Sequence, residues 1–351
     1  AWIGWTAADN DKEINLATAL ANQYPDTVKA LIIGNEVLLR GEQTEEAMLA
    51  YIARAKRLTE VPVTYADVWE FWIKHSKLEQ SVDFVTIHLL PYWENNPQSV
   101  EQSIAHANAV MAKLDTAFSK PILIGETGWP SVGRQRGLST PSQLNQARYL
   151  RAFLREANQK QWNYNLIEAF DQPWKRGLEG TVGGFWGIYD TALNPKFSFS
   201  GEVAERQDHF RPVYFGTLGA IILLVISFLA GIKNKQSLVS IAVLGALTGI
   251  ATMLQLEYLS AACGDGTWLS ALTCVPSAGR PLATVVMVLQ WCSFGGALIS
   301  TWLVALSLCL YQQHPFLASR ATQIATLLIL LGAVTIGMLL TIDGRYRDFP
   351  V

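Results

Sequence analysis

Four apolar runs, at residues 213–232, 237–259, 282–311 and 321–342, constrain this chain more than any other feature of its sequence. Each is long enough for a helix to cross a bilayer, which takes roughly 20 predominantly apolar residues. A buried soluble helix of that length would carry a charged face, and these runs do not. The sequence therefore predicts an all-α transmembrane region of about four helices within residues 206–351, with the lipid bilayer as a partner. A soluble domain over residues 1–205 holds most of the charged side chains. Lys233 and Lys235 sit in the short turn after the first run. The positive-inside rule places that turn in the cytoplasm and residues 1–212 on the periplasmic or extracellular side. The loop at 260–281 would then also lie outside, where Cys263 and Cys274 could pair as a disulfide or remain thiols. Cys292 and Cys309 fall inside the third run and read as packing residues. No run has an Asp, Lys or Arg near its centre, and Glu257 lies near an end, so the polar relay of many transporters is missing.

The soluble part alternates short β-branched runs with amphipathic segments, the pattern of a parallel sheet built from βα units. Six strands are predicted, at 1–4, 29–37, 61–67, 82–93, 121–129 and 165–174. Helices are predicted at 44–58, 98–117 and 140–159, with Thr44 and Thr140 as N-terminal caps. Polar or aromatic residues follow each apolar strand core: Asn35 and Glu36, Asp67 and Trp69, His88 and Tyr92, Glu126 and Trp129, Glu168 and Asp171. In a (β/α)8 TIM barrel the active site is built at the C-terminal ends of the strands, which is where these residues fall. Six units cannot close eight strands, so two N-terminal βα units are expected to precede Ala1, and chain is expected to continue beyond Val351.

Two acidic residues, Glu36 in LIIGNEV and Glu126 in LIGETGWPS, terminate apolar strands. Such a pair suits cleavage of a glycosidic bond. One carboxyl stays protonated to donate to the leaving oxygen and the other stays ionised to attack the anomeric carbon; a separation of about 5–5.5 Å gives retention of configuration. A formal net charge of −2 over 351 residues favours a neutral partner and argues against nucleic acid. No phosphate-binding loop, metal site or other cofactor site is indicated.

GNEV, HLLPYW, GETGWPS and EAFDQPWK, taken together, resemble the strands of glycoside hydrolase family 17, over about residues 1–200. That resemblance implies a (β/α)8 barrel acting on β-1,3-glucan, with Glu36 as general acid/base and Glu126 as nucleophile. Asn35 would hold the sugar 2-hydroxyl, and Tyr92 would orient the Glu126 carboxylate. Glu168, Asp171 and Lys175 resemble the family's polar sugar-binding cluster. Trp69, Trp129 and Trp174, together with Trp93 and Trp186, are candidate platforms for pyranose faces. His88 reads equally as a packed strand residue or a ligand contact. GLEGTVGGFWGIYD reads as a glycine-permitted loop beside the last strand.

The residues leave the fate of a glycosyl-enzyme ester open, since water or a sugar hydroxyl can resolve it. A membrane anchor favours transfer to another glucan, with endo-β-1,3-glucanase activity as the alternative. A catalytically silent glucan-binding or export scaffold is a third possibility. Similar bacterial proteins couple such a barrel to a polysaccharide synthase, so the expectation includes a bacterial inner membrane and a possible synthase partner.

Overall fold

The computed structural model describes the backbone of residues 1–204, 210–263, 281–311 and 314–342, and their side chains outside 257–294 and 336–342. The expected Cys263–Cys274 pair and Cys292 lie outside the side chains so described. The chain divides into two compact units, one reaching to Glu205 and the other starting at Arg206.

The first unit is an α/β layer structure. Strands β1 (Leu31–Asn35), β2 (Val63–Val68), β3 (Val85–His88), β4 (Ile122–Thr127) and β5 (Asn163–Leu166) form one sheet in the order β1-β2-β3-β4-β5. All four pairings are parallel. Helices α1 (Ala7–Gln23), α2 (Glu45–Leu58), α3 (Trp69–Lys74), α4 (Ser103–Ala117), α5 (Gln143–Lys160) and the short α6 (Arg176–Glu179) supply the rest. Parallel strands need crossover connections, and the helices that make them cover the sheet. The core accordingly joins Ile33, Val63, Val85, Ile87 and Ile124 of the strands to Ile14, Met48, Ile52, Leu114 and Phe153 of the helices, all fully or almost fully buried.

Local signals act as expected at α2, where the Thr44 hydroxyl accepts a hydrogen bond from the Ala47 amide at 3.3 Å. At α5 the cap is Ser142 rather than Thr140: the extended backbone of Ser142 lets its hydroxyl reach the Asn145 amide at 3.0 Å. Residues 1–4, predicted as a strand, do not join the ladder. Only Ala1 bonds to β1, its amine donating to the Ile32 carbonyl at 2.8 Å and its carbonyl accepting from Gly34 at 3.1 Å. The Asn10 side chain then takes both backbone groups of Gly4, each at 2.8 Å, in place of a neighbouring strand. Among the described residues the sheet thus has five strands where the sequence predicts six. The expected eight-stranded closure goes beyond them.

The second unit is helical: α7 (Arg211–Leu229), α8 (Lys235–Cys263), α9 (Pro281–Leu310) and α10 (Pro315–Ile342). Three stretches among the described residues are long and apolar enough to cross a membrane: Arg211–Leu229, Lys235–Leu256 and Pro315–Thr335. Within α9 the apolar stretch so described, Gly295–Leu310, is shorter. Polar side chains in these helices pair with one another: Gln255 donates to Thr301 at 3.0 Å and the Trp302 indole donates to Thr252 at 3.1 Å. In lipid, such pairs satisfy groups that have no water to turn to.

Candidate active site

Glu36 directly follows β1 and Glu126 lies in β4, three strand spacings away. In a flat sheet that separation is roughly 14 Å, because neighbouring strands lie about 4.8 Å apart and side chains stand perpendicular to the sheet. In this structure an oxygen of each carboxyl and a ring nitrogen of His88 all lie within 4.8 Å of one another. The sheet must therefore curve so that the ends of its strands converge, as in a barrel wall.

Local backbone geometry aims the acids. Gly34 has φ +87°, in the left-handed region, and a β-carbon there would meet Val37 Cγ2 at 2.9 Å and Met48 Cε at 3.0 Å. The β1–β2 register shifts between Ile32 and Asn35, and Glu36 itself has φ +52°. A glutamate rarely adopts that conformation, and such backbones gather at functional sites. On the other side Gly128 allows the chain after β4 to pass the Ile167 carbonyl, which a β-carbon would approach to 2.2 Å.

His88 is 2% exposed and its Nε2 lies 2.9 Å from Asn35 Oδ1. With the amide oxygen as acceptor, Nε2 carries the proton and Nδ1 is left as a bare acceptor 3.9 Å from Glu126 Oε2. Burial holds the His88 imidazole neutral, with its pKa down at about 3. The ring thus fixes Asn35 without adding positive charge.

Burial pushes the Glu36 carboxyl up to about 8, and the negative charges of Glu126 and Asp67 push the same way against the Arg40 guanidinium. Burial also raises Glu126, to about 7; Lys175 opposes that rise, while Glu168 and Glu179 add to it. After burial, the largest influence on Glu36 is the negative charge of Glu126, which favours its proton, and the largest on Glu126 is the Lys175 ammonium, which favours its ionised form.

Residues 1–187 match the BtgE/BtgC glycoside hydrolase domain. The chain belongs to this glycoside hydrolase family. Its relatives include the glucan 1,3-beta-glucosidase of Candida albicans, 27% identical over 209 residues covering 51% of this chain and 67% of that protein. The Arthroderma benhamiae glucan 1,3-beta-glucosidase is 25% identical over 203 residues, covering 52% of this chain and 65% of that protein. The chain thus spans about two thirds of the length of these curated relatives. Among solved structures it is similar to the family 17 β-1,3-glucanosyltransferase of Rhizomucor miehei, with 28% identity and a TM-score of 0.51 over 57% of this chain and 74% of that one. A structure of an active-site mutant of that enzyme in complex with laminaritriose matches equally well.

Within this BtgE/BtgC domain the remaining expected site residues separate into two groups. Glu168 is held by Gln172 and Lys175, and the Lys175 ammonium lies over the Trp174 ring at 5.8 Å. Trp174 is 68% exposed and free to offer a face. Trp69 is half-buried, with Lys113 4.8 Å from its ring centre and its indole N–H unpartnered among the described residues. Three expectations need correction. Trp129 is fully buried, packs on Tyr149 at 5.5 Å and donates to the Thr140 carbonyl at 3.2 Å, so it is a core residue rather than a sugar platform. Asp171 is buried, bonded to the Lys196 ammonium at 2.8 Å and to the Gly187 amide at 2.9 Å, so it ties the last loop down. The Tyr92 phenol donates its proton to the Arg134 carbonyl at 2.7 Å, not to Glu126, while its ring packs on Trp93 and Trp186.

Sequence reasoning missed Glu179, at the end of α6, whose carboxyl is itself raised by burial. It lay in a glycine-rich stretch with no periodicity to mark it. His88 was visible only as a polar residue at a strand end. The cation opposing the Glu126 rise yields a prediction: Lys175→Met removes charge that favours ionised Glu126. The acidic limb of kcat/KM against pH should therefore move up by roughly one pH unit, with the basic limb in place. A pH profile on an oligosaccharide substrate checks it.

Proposed function

We propose that this chain is a membrane-held retaining enzyme of β-1,3-glucan that transfers a glycosyl group from one glucan to another. The observation that carries the reading is the approach of Glu36 and Glu126 to within 4.8 Å, with the Lys175 ammonium favouring the ionised form of Glu126. A separation near 5 Å leaves room for a sugar carbon and none for a water between carboxylate and anomeric centre, which is the retaining arrangement. In the first step Glu36 gives its proton to the glycosidic oxygen as the bond to the anomeric carbon breaks, and a Glu126 oxygen bonds to that carbon. In the second, an incoming hydroxyl gives its proton to Glu36 and bonds to the anomeric carbon, releasing the Glu126 carboxylate. Asn35, held by His88, faces the sugar 2-hydroxyl, where hydrogen bonds strengthen as positive charge develops at the ring. Trp69 and Trp174 would serve as faces for neighbouring glucosyl units.

The similarity to a β-1,3-glucanosyltransferase and to glucan 1,3-beta-glucosidases supports the substrate class. The apolar helices support membrane attachment, and the Lys233–Lys235 turn supports a catalytic unit outside the cytoplasm, with a bacterial inner membrane as the proposed setting. Endo-hydrolysis is the second reading, because water can replace the acceptor on the same two carboxyls. Incubation of the detergent-solubilised chain with laminari-oligosaccharides separates the readings. Products longer than the substrate are expected, only shorter ones would assign hydrolysis, and unchanged substrate would assign a binding scaffold.

A further inference from the structure

Behind Glu36 lies a buried polar assembly that the two-step chemistry does not use. Asp67, at the end of β2, and Tyr65, two residues earlier, are both fully buried. Three donors converge on the Asp67 carboxyl: the Leu39 amide at 3.3 Å, the Val68 amide at 2.8 Å and the Tyr65 hydroxyl. The Tyr65 oxygen in turn accepts from the Leu38 amide at 2.9 Å, so its own proton is available to Asp67. The Glu36 amide donates to the Ala66 carbonyl at 2.8 Å on the same strand. The turn that leaves Glu36 is thus tied to β2 at three places: Glu36, Leu38 and Leu39.

That turn needs holding, because it starts from the left-handed backbone of Glu36 and is closed by few bonds of its own, such as Arg40 N–H to the Glu36 carbonyl at 3.0 Å. Burial raises the Asp67 carboxyl above the ordinary aspartate range, and the three donors it receives, together with the Arg40 guanidinium, oppose that rise by favouring the charged form. Its charge lies behind Glu36.

We propose that Asp67 and Tyr65 are positioning residues for the Glu36 acid, pinning the turn that aims it and placing a fixed negative charge at its back. This rests on the reading of Glu36 as the proton donor. The groups facing Glu36 are Glu126 from β4, Asp67 from β2, His88 from β3, Glu179 from α6 and Arg40 from its own turn. His88 is neutral, and Arg40, 3.6 Å from Glu36, opposes the three carboxylates. Removing the Asp67 charge leaves Arg40 less opposed, so Glu36 should lose its proton at lower pH.

The test is the pH dependence of kcat/KM for the full chain in detergent, on laminaripentaose and on a dinitrophenyl β-glucoside whose leaving group needs no proton. For Asp67→Asn the basic limb on laminaripentaose should fall by roughly one pH unit, while the acidic limb set by Glu126 stays in place. A variant that melts normally and keeps the wild-type basic limb would overturn the proposal. Should Asp67→Asn not fold, Tyr65→Phe serves instead, since it keeps the charge and removes the clamp. It should lower kcat/KM on laminaripentaose about tenfold more than on the aryl glucoside, whose first step needs no proton from Glu36; equal losses on both would overturn the proposal. Glu36→Ala, run alongside, separates the two claims. If it keeps the basic limb, the acid assignment fails and takes this inference with it; if it loses the limb and Asp67→Asn does not move it, only this inference fails.

Discussion

Glu126→Ala is expected to lower kcat/KM by more than about 10³-fold on every substrate, including aryl glucosides with good leaving groups. In the proposed mechanism Glu126 forms the bond to carbon, and leaving-group quality cannot replace a missing nucleophile. Glu168 and Glu179 also act on this carboxyl, but Glu168 is tied to Lys175 and Gln172, and Glu179 lies on α6 beyond β5. The shortened side chain leaves space on the face that Glu126 occupied. Added azide should then attack the sugar directly and give the α-glucosyl azide, with partial recovery of rate. Mass spectrometry and the anomeric coupling constant of the azide identify the product. Ordinary turnover by the alanine variant would remove the nucleophile assignment.

Glu36→Ala should behave differently, and the difference is diagnostic. Loss of a general acid costs about 10²–10⁴-fold where the leaving oxygen needs a proton. On laminaripentaose kcat/KM should drop within that range, while on a dinitrophenyl glucoside the first step should survive. The ester on Glu126 would then accumulate, because in the proposed second step Glu36 is also the base that activates the incoming hydroxyl. Burst kinetics with slow steady-state turnover would record it, and azide should give the β-glucosyl azide by attack on that ester. Equal losses on both substrates would mean that Glu36 holds the site together and does not move protons.

The two carboxyls were legible in the sequence because each ends an apolar strand, and a strand end is a fixed place in a parallel α/β sheet. GNEV and GETGW also carry the glycines that let the backbone deliver them, Gly34 through its left-handed φ and Gly128 through its close pass by Ile167. Helices α2, α4 and α5 were legible for the same reason, since βα alternation leaves little freedom in a parallel sheet, whereas α1, α3 and α6 were not among the predicted helices. What was not legible depends on pairings between distant side chains. Trp129 and Trp174 look alike as residues near strand ends, yet one is sealed by Tyr149 and the other stands in solvent. Asp171 reads as a sugar ligand until Lys196, 25 residues on, is seen to neutralise it. Residues 1–4 read as a strand, and only the Asn10 side chain shows why the ladder is left. The Asp67–Tyr65 clamp could not be inferred at all, because spacing alone says nothing of the backbone amides it gathers.

Stereochemistry offers the most direct test of the whole account. Proton NMR of the sugar released in the first minutes from laminari-oligosaccharides, before mutarotation, reads the anomeric configuration of the new reducing or transferred end. Carboxyl oxygens within 4.8 Å of one another predict the β-anomer. Initial release of the α-anomer would contradict it, since inversion requires a water between carboxylates set roughly 6.5–9.5 Å apart.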